Sequence, residues 1–181
     1  MRVISGRLRG KRLEMLKEDA VRPTTDKVKE SIFNVIQFDV MGASFLDLFA
    51  GSGQIGIEAL SRGTQKVTFV DESKRAIDVV RRNLASTKLL ERAEVVQNEA
   101  ISFLRQTRER FDIAFLDPPY KTGILQKALD LVADVMSERG IIICEHSAEE
   151  ILPTNIKKFS VSKSYKYGKI MLTVYRREQL K

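Results

Sequence analysis

The chain has one cysteine, Cys144, and one histidine, His146. A lone cysteine excludes an internal disulfide, and the two residues together cannot build a zinc cluster or a histidine-rich site. No metal is therefore expected. Their closeness in sequence suggests a nucleophile with its base. However, Cys144 ends the apolar run Ile141-Ile142-Ile143, where a buried strand cysteine is expected instead. Near the N-terminus Met1-Arg2-Val3-Ile4, no apolar stretch is long enough for a signal peptide or a membrane span. The expectation is a cytoplasmic protein without membrane contact. Internal repeats, low-complexity tracts and linkers between folded domains are also lacking.

What is present fits one α/β domain. The 181 residues can bury a sizeable core, and the 43% hydrophobic content excludes a disordered chain. The net charge of +7 suggests a polyanionic partner, of which nucleic acid is the commonest, although a basic surface can also serve solubility.

The first twenty residues stand apart. Val3-Ile4-Ser5 and Arg12-Leu13-Glu14-Met15 are short extended stretches around Gly6-Arg7-Leu8-Arg9-Gly10, which predicts a small β-hairpin-like extension. Arg22-Pro23-Thr24-Thr25 interrupts the chain, and Thr25 or Asp26 can cap a helix carrying Val28, Ile32, Val35 and Ile36. A basic extension over residues 1–24 and a catalytic domain over residues 25–181 are expected.

From residue 45 strands and helices alternate. Strands are predicted at 45–49, 67–70, 93–96, 111–116 and 140–144. A glycine loop is predicted from Gly51 to Gly56, and a helix carrying Leu125, Leu129, Val132 and Met136 before the fifth strand. Such alternation predicts a parallel sheet covered by helices. The runs Phe159–Ser162 and Ile170–Tyr175 are too close for a crossover helix, so they should pair as an antiparallel hairpin through Tyr167-Gly168. The expected fold is α/β, the Rossmann-like arrangement of class I methyltransferases. It comprises a mostly parallel seven-stranded sheet ending in that hairpin.

Gly51-Ser52-Gly53-Gln54-Ile55-Gly56 fits GxGxxG between a strand and a helix. The glycines allow a tight turn and close approach of a ligand, but the pattern also suits NAD-binding proteins. Asp71, ending the second strand, can accept ribose hydroxyls in either case. Asp47, just before the loop, discriminates: a carboxylate there repels a pyrophosphate and suits a cationic methionyl group.

Asp117-Pro118-Pro119-Tyr120 follows the fourth strand, where open α/β sheets place ligands. An exocyclic amino nitrogen on a base is a poor nucleophile because its lone pair is delocalised into the ring. A catalyst must hold both N–H bonds and turn the lone pair outward. The Asp117 carboxylate and the Pro118 carbonyl are two suitable acceptors. The two prolines stiffen the loop. Tyr120 offers a face on which an extruded base can stack.

Over nearly its whole length the sequence resembles the RsmD family of bacterial 16S ribosomal RNA guanine-N2 methyltransferases. The resemblance covers Arg2-Val3-Ile4-Ser5-Gly6, Arg9-Gly10, the segment from Arg22 to Glu30, Leu46 to Gly53, and Asp117 to Tyr120. It implies S-adenosylmethionine as cofactor, held at Asp47, Phe49, Gly51, Gly53 and Asp71, with Thr24 near the methionyl end or the target base. Either Asn98 or Glu99 would meet the adenine amino group. Asp117, Pro118 and Tyr120 are the candidate catalytic residues. Arg2, Arg7, Arg9, Lys11 and Arg12, with no acid among the first twelve residues, and Arg22 are candidate RNA contacts.

The expected activity is methyl transfer to a guanine N2 amino group in 16S rRNA, within the small ribosomal subunit or its assembly intermediate, by a monomer. An adenine-N6 DNA methyltransferase can use the same tetrapeptide, but no target-recognition domain is visible. A protein-glutamine methyltransferase leaves the basic N-terminus unexplained. A non-catalytic assembly factor has no need of Asp47, Asp71 and Asp117. An NAD oxidoreductase is disfavoured by Asp47.

Overall fold

The computed structural model describes residues 1–16 and 25–177. Arg22 and Thr24 lie outside the described residues. The core is one eight-stranded sheet: β1 (Ser44–Leu48), β2 (Lys66–Asp71), β3 (Ala93–Gln97), β4 (Phe111–Leu116), β5 (Met136–Ser147), β6 (Asn155–Ile156), β7 (Phe159–Tyr167) and β8 (Ile170–Arg177). Their order is β3-β2-β1-β4-β5-β8-β7-β6. Strands β1 to β5 are parallel, and β8, β7 and β6 extend the sheet antiparallel. This is the expected Rossmann-like class with the expected C-terminal hairpin. The extra strand over the seven expected is β6, whose two residues are too short to leave an alternating pattern.

Alternation along the strands buries both faces. Phe45, Phe69, Ile113, Phe115, Ile141 and Ile143 pack with α1 (Asp26–Val35), α2 (Gln54–Ser61) and α3 (Lys74–Thr87). Leu46, Leu48, Ala114, Leu116, Ile142 and Cys144 pack with α4 (Ala100–Gln106) and α5 (Ile124–Asp134). Local signals set several helix starts. The Thr25 hydroxyl accepts from the Val28 amide at 3.3 Å and caps α1, and Ser73 caps α3 in the same way.

Some boundaries differ from expectation. Strand β1 stops at Leu48 rather than Phe49, because Phe49 takes φ +71°, a conformation rare outside glycine. Gly56 is not in the loop but in the first turn of α2. A Cβ there would sit 2.2 Å from the Phe69 ring, so glycine permits the helix to lie on β2. Met136 belongs to β5 rather than to the preceding helix. α5 ends at Asp134, and Met136 pairs with Phe111 across a register shift. The apolar spacing runs on through the boundary, so periodicity alone misses it.

The N-terminal extension is hairpin-like, but among its described residues it makes only one β-bridge, Arg2↔Arg12, around a 3-10 turn at Gly6–Leu8. Backbone bonds such as Val3 amide to Lys11 carbonyl and Leu13 amide to Met1 carbonyl close it, and side chains of α2 hold it to the domain. Glu58 accepts from the amides of Ile4 (2.7 Å) and Ser5 (2.9 Å), and Ser61 accepts from that of Leu8 (2.9 Å). Gly6 lies so close that a Cβ would meet the Ser61 carbonyl at 2.0 Å. Val3 and Leu13 join the core beneath.

Candidate active site

Parallel strands bring their carboxyl ends to one edge, and the chemistry-bearing side chains gather there. Asp47 comes from β1, Asp71 from β2, Asn98 and Glu99 from the end of β3, and Asp117 from just beyond β4. The loop after β1 turns through Gly51 and Gly53, both at positive φ, and delivers the chain to α2. Phe49 opens that loop, with its amide and that of Ala50 both donating to the Val70 carbonyl.

Two aspartates hold the loop. Asp71 Oδ2 accepts from the Gly51 amide at 2.9 Å, and Asp71 Oδ1 accepts from the Ser73 amide at 2.9 Å. An ionised carboxylate has about four lone-pair sites, which leaves acceptor capacity for ribose hydroxyls. Asp47 is almost wholly enclosed, at 1% exposure, and its Oδ2 accepts from the Gly56 amide at 2.9 Å. That amide belongs to the first turn of α2, the position at which a pyrophosphate would bind in a dinucleotide site. The carboxylate occupies it instead. Burial pushes the Asp47 carboxyl up to about 7, and the Asp71 charge adds to the rise, against the Gly56 hydrogen bond.

At the end of β3, the Asn98 amide donates to the Asp71 carbonyl at 3.1 Å. Glu99 is exposed and accepts from the Ser102 hydroxyl at 2.9 Å. Asn98 thus stands next to Asp71.

Asp117 adjoins a residue that sequence reasoning missed. The pairing Leu116↔Cys144 sets Asp117 beside Glu145 of β5. Glu145 is buried at 2% exposure, and its Oε1 accepts from the Tyr120 hydroxyl at 3.4 Å. Burial, then the charges of Glu145 and Asp47, raise the Asp117 carboxyl well above its ordinary value. Pro118 is buried, whereas Pro119 and Tyr120 are exposed. The only sequence signal for Glu145 was an acid following four apolar residues, on the same strand face as Ile141 and Ile143.

Cys144 and His146 form no nucleophile–base pair. Cys144 lies in the apolar layer facing α5, where burial pushes its thiol up. His146 Nε2 and Thr173 Oγ1 are 2.8 Å apart, and burial lowers its pKa. Among the described residues no group of three or more His, Cys, Asp or Glu could hold a metal ion, and no helix is long and apolar enough to cross a membrane. A cleft of about 210 Å³ lined by Ser44, Lys66, Thr68 and Glu109 lies at the opposite, amino edge of the sheet. Lys66 there is already paired with Glu94 and Glu109. We place the site at the carboxyl edge, because open parallel sheets bind ligands there.

The described candidate RNA contacts lie on the N-terminal extension rather than on the strands of this edge. Arg2, Arg7, Arg9, Lys11 and Arg12 are all exposed on the N-terminal extension. The tip at Gly6–Leu8 lies against the C-terminal end of α2, whereas Glu14 at its base shares Asn83 with the Ser52 carbonyl of the glycine loop.

Comparison with known proteins agrees with this geometry. The family described as conserved hypothetical protein 95 matches residues 1–176. A Bacillus subtilis protein provisionally named rRNA methyltransferase YlbH is 42% identical, over 98% of this chain and 99% of its own. Ribosomal RNA small subunit methyltransferase D of Escherichia coli is 34% identical, over 98% of this chain and 90% of its own. The solved structure of an Escherichia coli protein provisionally named methyltransferase yhhF superposes with a TM-score of 0.89 at 35% identity, covering 98% of both chains. A protein provisionally described as a methyltransferase and solved in complex with SAH shares the fold at a TM-score of 0.68 and 16% identity, covering 83% of this chain and 48% of that one. The aspartate-lined carboxyl edge, the glycine loop and the full-length match together show that the chain is a methyltransferase belonging to the RsmD family, that of ribosomal RNA small subunit methyltransferase D.

Proposed function

We propose that this protein transfers a methyl group from S-adenosylmethionine to the exocyclic N2 amino group of a guanine in 16S ribosomal RNA, free or within the small subunit or its assembly intermediate. The observation that carries this reading is the crowding of Asp47 and Asp117 at one sheet edge, each pushed up by burial and by neighbouring negative charge. Such an edge favours a cationic ligand and hydrogen-bond donors, and disfavours a pyrophosphate. The donor set therefore fits the cofactor. Asp47 and the loop at Phe49, Gly51 and Gly53 would hold its methionyl end, with Thr24 nearby. Asp71 would take the ribose hydroxyls, and Asn98 or Glu99 the adenine amino group.

When bound, S-adenosylmethionine supplies a methyl group activated on a cationic sulfur. The protein's part is to prepare the acceptor nitrogen. The Asp117 carboxylate and the Pro118 carbonyl accept its two N–H bonds, which turns the lone pair away from the ring plane. Tyr120 supplies a stacking face, steadied through its hydroxyl by Glu145. Positive charge developing on nitrogen is stabilised by Asp117, whose raised pKa equips it to take the departing proton. The exposed arginines and lysine of residues 1–12, with Arg22, would neutralise phosphates.

The test is methyl transfer from labelled cofactor to 16S rRNA and to small subunits lacking the modification, followed by nucleoside analysis. Label in N2-methylguanosine is expected. Label in N6-methyladenosine, or none in RNA, overturns the assignment.

A further inference from the structure

The excess positive charge is concentrated. Ile151 to Arg177 contains five lysines, two arginines and no acidic residue. A surface kept basic only for solubility ordinarily mixes both signs. Lys157 pairs with Asp134, Arg176 with Asp39, and Arg177 donates to the Ser137 carbonyl. Lys158 lies at the β6–β7 turn. Lys163, Lys166 and Lys169 remain, all exposed and without an ion pair among the described residues.

Topology carries these three toward the catalytic edge, with Lys169 in its turn, Lys166 opposite Met171, and Lys163 further back opposite Val174 on the other sheet face from Lys166. β5 runs parallel to β1 and β4, so it ends at that edge with Ser147. β8 starts there, with Ile170 opposite Ser147, and β7 ends there, with Tyr167 opposite Ile170. The two-residue turn Gly168-Lys169 therefore stands at the same edge as Asp47 and Asp117. Across the strands, Leu172 alone separates Tyr165 from Glu145. Two strand spacings amount to about 10 Å.

The tip is also anchored. Tyr165 and Tyr167 pack half-buried against the α1 side of the core. The Tyr167 hydroxyl donates to Ser31 of α1, and Lys27 Nζ stands 5.9 Å over the Tyr167 ring. On another part of α1, Lys29 donates to the Arg2 carbonyl of the N-terminal extension at 2.7 Å. Helix α1 thus ties together two separate basic surfaces.

We infer that the β7–β8 tip, through Lys163, Lys166 and Lys169 with Lys27 beside it, is a second phosphate-binding surface that holds the RNA strand next to the catalytic edge. This rests on the RNA reading above. Lysines here act as point charges that position the strand without reading its sequence.

The test compares the parent with the triple variants Lys163→Ala/Lys166→Ala/Lys169→Ala and Lys163→Arg/Lys166→Arg/Lys169→Arg. RNA affinity is measured across a salt series, and S-adenosylhomocysteine affinity and thermal midpoint serve as checks of folding. If each lysine neutralises one phosphate, the alanine variant loses about 2 from the slope of log K against log salt, at roughly 0.7 per contact on single strands. The arginine variant keeps the parental slope, and cofactor affinity is unchanged in both. A folded alanine variant with parental affinity and slope overturns the surface while leaving the RNA reading intact. Failure of the parent itself to bind or methylate RNA overturns both. Normal binding of the alanine variant to naked RNA, with loss only on assembled subunits, assigns the patch to an acidic protein and also overturns the proposal.

Discussion

Lys29 Nζ lies 3.8 Å from Glu58 Oε2, and both side chains are completely buried. Burial pulls the Lys29 pKa down, and the Glu58 charge partly restores it. The same glutamate accepts from the Ile4 and Ser5 amides and from Arg62 Nε at 2.9 Å. Glu58→Gln leaves the buried lysine without its counter-charge, which typically costs about 3–5 kcal/mol. Urea denaturation should show a loss of that order, with faster hydrogen exchange at Ile4 and Ser5. Parental stability and exchange would show that the pair does not clasp the extension.

Asp47 should make stability and cofactor affinity respond to pH in opposite directions. Its carboxyl moves from 3.8 to about 7 on folding, so the folded state binds the extra proton between those values. Its contribution to stability is full below about pH 4 and is lost as pH rises toward 7. The span corresponds to roughly 4 kcal/mol. Binding of a cationic ligand favours the ionised form, so affinity should rise as pH passes through about 7. Asp47→Asn keeps an acceptor for Gly56 without the charge. At pH 8 it should unfold no more easily than the parent yet bind S-adenosylmethionine less well, with a flatter pH dependence. Calorimetry across pH 6–8 measures this.

Asp117→Ala should keep fold and cofactor affinity and lose about 10²–10³ in single-turnover rate. Asp117→Asn separates charge from geometry, because its amide oxygen still accepts one hydrogen bond but takes no proton. A loss as deep as alanine's identifies the carboxylate charge as the dominant contribution. Near-parental turnover in the alanine variant would falsify the role given to Asp117.

Glu145 should reveal itself in a pH profile. Its charge raises the Asp117 pKa, and only ionised Asp117 can accept both a hydrogen bond and a proton. Glu145→Gln removes that charge, so Asp117 ionises at lower pH. The acid limb of the single-turnover pH–rate profile should shift toward lower pH while Tyr120 retains a hydrogen-bond acceptor. An unshifted limb, with only a uniform drop in rate, would limit Glu145 to packing.

Replacing Arg7, Arg9, Lys11 and Arg12 by alanine should weaken RNA binding and flatten its salt dependence, because fewer counterions are released. S-adenosylhomocysteine affinity should stay at the parental value. Unchanged RNA affinity and salt slope would leave these residues as a solvated surface.

The sequence by itself determined whatever depends on neighbours along the chain. The strand–glycine loop–helix unit around Asp47, the Thr25 cap and the stiff Asp117-Pro118-Pro119-Tyr120 loop are set by local backbone preferences. Alternating apolar runs announced the parallel sheet and the C-terminal hairpin, because each strand must bury both faces or one. Tertiary structure alone decided which distant groups meet. Glu145 stands beside Asp117 only because β4 and β5 pair in register Leu116↔Cys144. Glu58 reaches Ile4 across 54 residues only because α2 lies beneath the extension, and glycine at position 6 permits that approach. The raised pKa values of Asp47 and Asp117 likewise come from burial and from neighbouring charge, that of Asp71 on Asp47 and those of Glu145 and Asp47 on Asp117. Desolvation and Coulomb interactions depend on distance in space, to which spacing along the chain is blind.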